Sequence, residues 1–370
     1  MPFGDEGVEP GIGLALSGGG YRAALFHLGA LWRLNQLGLL SALDRISSVS
    51  GGSITAGCLA VRWGELQFSG GVASNFESAI VGPLRDFCTR TIDVPAALLG
   101  LLLPWKGAGH FIERSYRNHL LGDATLQSLP DRPRFVFNST NFATAVSFRF
   151  SKPYAGDYRI GLIEKPKFRV SLAVAASSAF PPFLSPARIK PDPASFTRTK
   201  GADLYERIEF RKRLALTDGG VYDNLGLETV WNRYDTVLTS DAGAPVNPRA
   251  ARYLHWLTQA RRAVDITMNQ ARALRKRALI TDYEQKLRKG AYWGIATDIR
   301  KYELPDSLPC SLQRIAELAA MRTRLSRFAE AEQCRLINWG YAVADAALRR
   351  YVVTAPVSAP AWPYPNYALS

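Results

Sequence analysis

The chain has 370 residues, of which 47% are apolar, 21% charged and 11% aromatic. That balance supports a sizeable buried core and excludes a disordered chain, a collagenous repeat or a coiled-coil fibre. Lysine and arginine outnumber aspartate and glutamate by 46 to 32, a formal charge of +14, so the surface should favour nucleic acid, acidic metabolites or an anionic membrane.

Met1 to Pro10 is acidic and lacks the basic-then-apolar run of a signal peptide, which makes the cytoplasm the expected location. Gly11 to Leu16 reads as a short buried strand that ends in Ser17-Gly18-Gly19-Gly20. Apolar residues from Ala23 to Leu40 then recur at helical spacing. Ile46 to Val49 is a second strand, released into Gly51-Gly52, and Ser53 to Val61 is a helix of small residues packed on the sheet. The order strand, turn, helix, strand, turn, helix predicts an α/β domain with a mainly parallel sheet.

Val94 to Trp105 is the longest apolar run, too short to cross a bilayer. It reads as a buried helix or as an apolar lid or interfacial segment. Further strands are expected at Phe135 to Asn138, Phe168 to Ala175, Leu214 to Thr217 and Thr236 to Ser240. Pro186 to Arg213 reads as a surface excursion. Arg252 to Lys301 is strongly basic and largely helical, a solvated face or a surface attracted to anionic lipid. Ser311 to Tyr351 reads as one or two amphipathic helices. One main domain over residues 10–350 and an extended Pro-rich tail over 352–370 are therefore expected. Cys58, Cys88, Cys310 and Cys334 are far apart and read as reduced thiols.

Three segments carry chemistry. Consecutive glycines at 18–20, between a strand and a helix, let backbone N–H groups approach a phosphate or a developing oxyanion. The segment has neither a Walker A lysine nor dinucleotide spacing. Ser48-Val49-Ser50-Gly51-Gly52-Ser53 follows a strand and opens a helix, the setting of a nucleophile elbow; a Ser/Gly-rich helix cap fits the same residues. The elbow needs small neighbours on both sides of its serine; Gly52 meets that need, whereas Ser48 replaces the usual first glycine of GxSxG. Thr217-Asp218-Gly219-Gly220 releases an aspartate from a strand end into a flexible turn, or forms an Asx turn. A serine nucleophile needs a base. None of the four histidines, His27, His110, His119 and His255, is read as the last member of a Ser–Asp–His order, so Asp218 is the better candidate and a Ser–Asp dyad the better arrangement. Asp223 and Asp241 are the other acidic candidates, and Asp241 reads as support for the sheet-end loops. Asn138-Ser139-Thr140 fits a glycosylation sequon and is read as coincidental.

Together, Gly18-Gly19-Gly20-x-Arg22, Ser50 within SxSGGS, the block Ala176-Ser177-Ser178-Ala179-Phe180-Pro181-Pro182-Phe183 and Asp218 in Asp-Gly-Gly resemble the patatin-like phospholipase family, in family order across residues 11 to 245. The Tyr21-Arg22-Ala23 variant is also similar to the cytosolic group IV phospholipases. The departure is Ser48 where the family has glycine. The resemblance implies a three-layer α/β/α fold and hydrolysis of phospholipid or other glycerolipid esters with no metal and no cofactor. It makes Ser50 the nucleophile and Asp218 its base, with Gly18, Gly19 and Gly20 as the oxyanion hole and Arg22 supporting that loop or meeting lipid phosphate. Peripheral contact with an anionic membrane is expected. Nucleic acid ranks last as a partner, because no reading module is present. A short-chain esterase with the same dyad and a non-catalytic lipid-binding protein are the alternatives.

Overall fold

The computed structural model describes residues 7–103, 107–243, 246 and 255–370. Its centre is a sheet whose strands are β1 (Glu9–Leu16), β2 (Arg45–Val49), β3 (Arg134–Asn141), β4 (Val146–Ser151), β5 (Tyr154–Asp157), β6 (Gly161–Glu164), β7 (Ala187–Ile189), β8 (Phe196–Thr197), β9 (Leu214–Asp218), β10 (Tyr234–Asp241) and β11 (Lys289–Gly294). The order is β8-β6-β5-β4-β3-β2-β1-β10-β11, with β9 pairing β3 and β7. Strands β3, β2, β1, β10 and β11 are parallel. Antiparallel hairpins extend the sheet beyond β3.

The helices that matter to the site are α1 (Gly20–Gln36), α2 (Gly51–Val61), α3 (Asp93–Leu102), α4 (Ala108–Tyr116), α5 (Val170–Ser177), α6 (Trp256–Glu284), α7 (Leu312–Ala320) and α8 (Glu330–Tyr351). Alternation along β1 assigns the layers. Leu14 and Leu16 enter the large core with α1, α2 and α8, whereas Ala15 enters a smaller one with Leu225, Val230 and Leu279 of α6. Both faces are thus covered, which is what buries parallel strands. The chain leaves β1 toward β2 on one side and reaches β10 on the other, and ligands in such sheets bind where the order reverses.

Some expectations change. Phe168 to Ala175 is not a strand: Val170–Ser177 forms α5. Its residues are apolar or small and nearly all buried, so no periodicity separates the two states. The basic stretch is not helical throughout, because Lys289–Gly294 joins β10 as a parallel strand; Arg252 lies outside the described residues. The Pro-containing excursion contributes β7 and β8 to the sheet. Helix α3 is not fully buried, since Leu98 and Leu102 are exposed, and Trp105 lies outside the described residues. Residues 352–370 dock on the domain as a tail. Asn338 on α8 donates to the carbonyls of Tyr364 and Tyr367, and Leu369 is buried.

That tail is also tied to a buried ion pair. Arg33 of α1 meets Asp345 of α8 at 2.7 Å, both side chains 1% exposed, and donates to the Ser358 carbonyl at 3.0 Å. Removing one member of such a pair leaves an uncompensated buried charge, at a cost of about 3–5 kcal/mol. Asp345→Ala should therefore lower the melting temperature markedly and expose the tail to proteolysis. Asp345 also pairs with Arg349 at 2.9 Å, and Arg349 keeps Asp306 as a second partner, so the double change Arg33→Leu with Asp345→Leu should cost less than the single one in the same thermal melt.

Candidate active site

Register brings the two central groups together. Strand β2 pairs with β3 up to Val49 opposite Asn138, while β9 approaches from the other direction and pairs Asp218 with Ser139. Strand β4 occupies the opposite edge of β3 over these same residues, so β2 and β9 share one edge and meet end to end. Ser50 and Asp218 follow from adjacent register positions.

Ser50 has φ 52° and ψ −118°, outside the usual region for a side-chain-bearing residue, at a cost of about 1–3 kcal/mol. Its surroundings fix it. The Ser50 N–H donates to Ser177 Oγ at 3.0 Å, and that hydroxyl donates to the Asn138 carbonyl at 2.6 Å. Ser53 bridges the Ser177 and Ser48 hydroxyls at 2.8 and 2.9 Å. Ser48, the departure noted above, is thereby absorbed into a buried serine network. A Cβ at Gly52 would lie 2.5 Å from the Leu16 carbonyl oxygen, and one at Gly51 would lie 2.0 Å from that of Gly20. Only glycine lets the elbow sit on the turn that follows β1.

Asp218 is buried. Its Oδ1 accepts the Gly220 N–H at 2.7 Å, whereas Oδ2 is buried without a hydrogen bond of regular geometry. Burial pushes the carboxyl up to about 6, offset in part by Gly220 and by donation from the Ser50 side chain. The other aspartates are committed. Asp223 accepts the N–H groups of Leu225, Leu227 and Glu228. Asp241 holds Arg272 at 2.7 Å, the Tyr292 hydroxyl at 2.7 Å and the Gly243 N–H at 2.8 Å, the loop support expected of it.

The glycine turn divides its labour. Gly18 donates its N–H to the Asn224 carbonyl at 3.0 Å, so it cannot serve an oxyanion, contrary to expectation; the Asn224 contact had no signal in the sequence. The N–H groups of Gly19, Gly20 and Gly51 have no hydrogen bond to a described residue. Arg22 is likewise committed. It donates to the carbonyls of Ala319, Met321 and Ala242, each at 2.8 Å, and burial pushes it down to about 10, still charged at neutral pH. It therefore supports the loop rather than meeting a phosphate.

His27 sits beneath the turn, its Nε2 2.9 Å from the Ser17 carbonyl and its Nδ1 2.7 Å from Ser240 Oγ. A carbonyl only accepts, so Nε2 carries the proton. Burial lowers its pKa to about 4 and keeps the ring neutral. No histidine lines the cavity described next. Asn138 is buried and donates to Ser47 Oγ and the Ser48 carbonyl, so the sequon is structural.

Ser50, Asp218, Gly18, Gly19, Gly20 and Arg22 line a single cavity of about 600 Å³. Its apolar walls come from Val94, Ala97 and Leu98 of α3, from Phe180, Pro181, Phe183 and Leu184, and from Met268 of α6. Among the described residues, no helix is long and apolar enough to cross a membrane. Of the basic run on α6, Arg275 pairs with Asp223 and Lys276 lies over the Tyr292 ring, which leaves Arg277 as the exposed member of that triplet.

Residues 14–231 match the patatin-like phospholipase family. The chain belongs to that family. No curated protein matches the chain. Its fold is similar to that of human GIVD cytosolic phospholipase A2 in complex with methyl γ-linolenyl fluorophosphonate and terbium chloride, at 16% identity and a TM-score of 0.53. The same human protein with the fluorophosphonate alone gives 16% identity and a TM-score of 0.52. In both, the match covers 91% of this chain and 57% of the other. The patatin-like chain thus spans a little over half the length of those structures.

The Asp218 carboxyl makes a testable contribution to stability. Its folded value, about 6, lies above the ordinary 3.8. Its ionisation therefore costs the fold nothing below pH 4 and about 3 kcal/mol well above pH 6. Asp218→Asn keeps the oxygen that accepts from Gly220 and removes the buried charge. The variant should melt at a higher temperature than the parent at pH 8, and the gain should vanish near pH 4.

Proposed function

We propose that the protein is a lipid acyl hydrolase that cleaves phospholipid or other glycerolipid esters through Ser50 and Asp218. The observation that carries this reading is the convergence of a strained serine, a buried carboxyl with one oxygen outside any hydrogen bond of regular geometry and unused backbone donors on one apolar cavity. Family membership supports it.

Ser50 Oγ attacks the ester carbonyl carbon and passes its proton to Asp218. Negative charge gathers on the carbonyl oxygen, where the N–H groups of Gly19, Gly20 and Gly51 are the available donors; one well-placed donor is worth about 3 kcal/mol. As the tetrahedral intermediate collapses, the carbon–oxygen bond to the alcohol breaks and Asp218 returns the proton to the leaving alkoxide. Water then attacks the acyl-serine, gives a proton to Asp218, and release of the fatty acid restores that proton to Ser50. A carboxylate that titrates near 6 is better matched to these transfers at neutral pH than one near 4.

The cavity walls favour an acyl chain of some length over a short soluble ester. Exposed Leu98, Leu102 and Phe183 stand by α3 and the Phe180–Leu184 wall, a surface suited to lipid held in an aggregate, and contact with an anionic membrane belongs to the same reading. Burial of apolar area contributes about 25 cal/mol per Å² there.

Hydrolysis of phospholipid vesicles, triacylglycerol and short p-nitrophenyl esters tests the assignment. Ser50→Ala should lower turnover by about 10⁴-fold or more and abolish fluorophosphonate labelling. Labelling at another serine would refute the nucleophile. Asp218→Asn should reduce turnover by about 10³-fold. Activity of the parent should rise with pH through a limb near 6, the value to which burial raises Asp218, and a limb unmoved by pH between 5 and 7 would contradict its role as base. Efficient turnover confined to the short esters would make the protein a carboxylesterase. No turnover of any ester would leave a lipid binder.

A further inference from the structure

With Arg22 spent on main-chain carbonyls, a different arginine reaches the cavity with its terminal nitrogens open. Arg324 lines it together with Ser50 and Asp218. Its Nε donates to Asp93 Oδ2 at 2.9 Å, while neither terminal nitrogen has a hydrogen bond to a described residue; the side chain is 60% exposed. The anchor is itself anchored, since Asp93 Oδ1 accepts the Val94 N–H at 2.9 Å at the start of α3.

The backbone is equally fixed. The Arg324 carbonyl accepts the Tyr21 N–H at 3.2 Å, next to the glycine turn, and the Leu325 carbonyl accepts the Ile92 N–H at 2.9 Å. Arg324 is therefore tied to the glycine turn on one side and to the apolar helix α3 on the other. A guanidinium held through Nε presents its two terminal nitrogens as a preset pair of donors, the arrangement that matches two oxygens of a phosphate. The Arg327 N–H donates to Thr91 Oγ1 at 3.0 Å, which brings Arg327 and Arg90 onto the same strip. The only ion-pair partners of this strip among the described residues are Asp86 and Asp93, so it is net positive. A cavity with apolar walls and a cationic, oriented donor pair at its edge suits an amphiphile with an acyl chain and an anionic head.

We propose that Arg324 selects acyl esters that carry a phosphate, binding two oxygens of a glycerophospholipid headgroup through its terminal nitrogens. The inference rests on the acyl-hydrolase reading for the role of the bound molecule, but binding can be measured without turnover. The Ser50→Ala protein, titrated calorimetrically with monomeric dihexanoyl phosphatidylglycerol and with dihexanoylglycerol, should prefer the phosphorylated ligand. Adding Arg324→Gln should reduce that preference about tenfold or more, the weight of a hydrogen bond to a charged group. Arg324→Lys keeps the charge without the planar edge and should recover part of it. Asp93→Asn should give an intermediate loss, since it frees the anchor but leaves the guanidinium.

In the Ser50-intact protein, Arg324→Gln should likewise shift the kcat/KM ratio of phospholipid to neutral glyceride toward the glyceride, chiefly through KM. An unchanged preference, or equal losses on both ligands with an unchanged melting temperature, would overturn the proposal. Inorganic phosphate binding as tightly as the phospholipid monomer would reassign the site to free phosphate and overturn the headgroup reading. If the parent hydrolyses no ester yet binds with the expected preference, the hydrolase reading fails and Arg324 stands.

Discussion

One edge of one strand organises the molecule. Strand β3 gives its inner edge to β2 as far as Asn138 and to β9 from Ser139 onward, so two strands running toward each other stop nose to nose. A parallel strand that ends there must turn at once, and the turn is Ser50 with its left-handed φ. The strand that arrives from the other side must also leave the sheet, and its last residue is Asp218. Everything else at the site holds this junction in place. Ser177 links the elbow to β3, and the carbonyls of Ser177 and Ala179 accept the N–H groups of Gly219 and Asp218.

Charge burial is arranged unevenly around that junction. Arg33, Asp223 and Asp241 are buried with partners matched to their donors or acceptors, which is the condition for keeping a charge out of water; Arg22 meets three carbonyls through its terminal nitrogens while its Nε has no partner. Asp218 is buried with one oxygen unmatched. The fold tolerates there a carboxyl that is costly to ionise, and the same cost raises its proton affinity into the range useful at neutral pH. Stability and the role proposed for this residue are opposed. Elsewhere in the network they agree, as with the serines under the elbow, whose hydroxyls satisfy one another without charge.

The cavity belongs to parts of the chain that lie far apart in sequence. The glycine turn and elbow fall inside the family match at residues 14–231, but Met268 and Arg272 of α6 and the Thr323–Leu325 segment lie beyond it and still form the walls. Arg22 is the strut between the two regions, because its three carbonyl partners come from Ala242, Ala319 and Met321. The later segments are thus built onto the same turn that carries the backbone donors. The cavity walls can then vary with the later segments, while the turn and elbow remain as they are.

Local chemistry is legible in the sequence wherever a turn demands particular residues. Glycines at 18–20 and 51–52 and the aspartate before Gly219-Gly220 are short-range requirements of backbone geometry that make Ser50 and Asp218 candidates; a helix cap and an Asx turn fit the same local patterns, and it is the four segments taken together that resemble the family and imply the dyad. Strand and helix order follows from periodicity where one face is exposed, and fails at Val170–Ser177, where burial on nearly every side erases the period. Tertiary structure alone decides who spends which hydrogen bond. That Gly18 and Arg22 are engaged with Asn224, Ala242, Ala319 and Met321, that the tail docks on α8, and that Arg324 keeps its terminal nitrogens open all depend on contacts between residues separated by tens to hundreds of positions. Sequence spacing carries no record of such distances, because chain folding and strand register set them together.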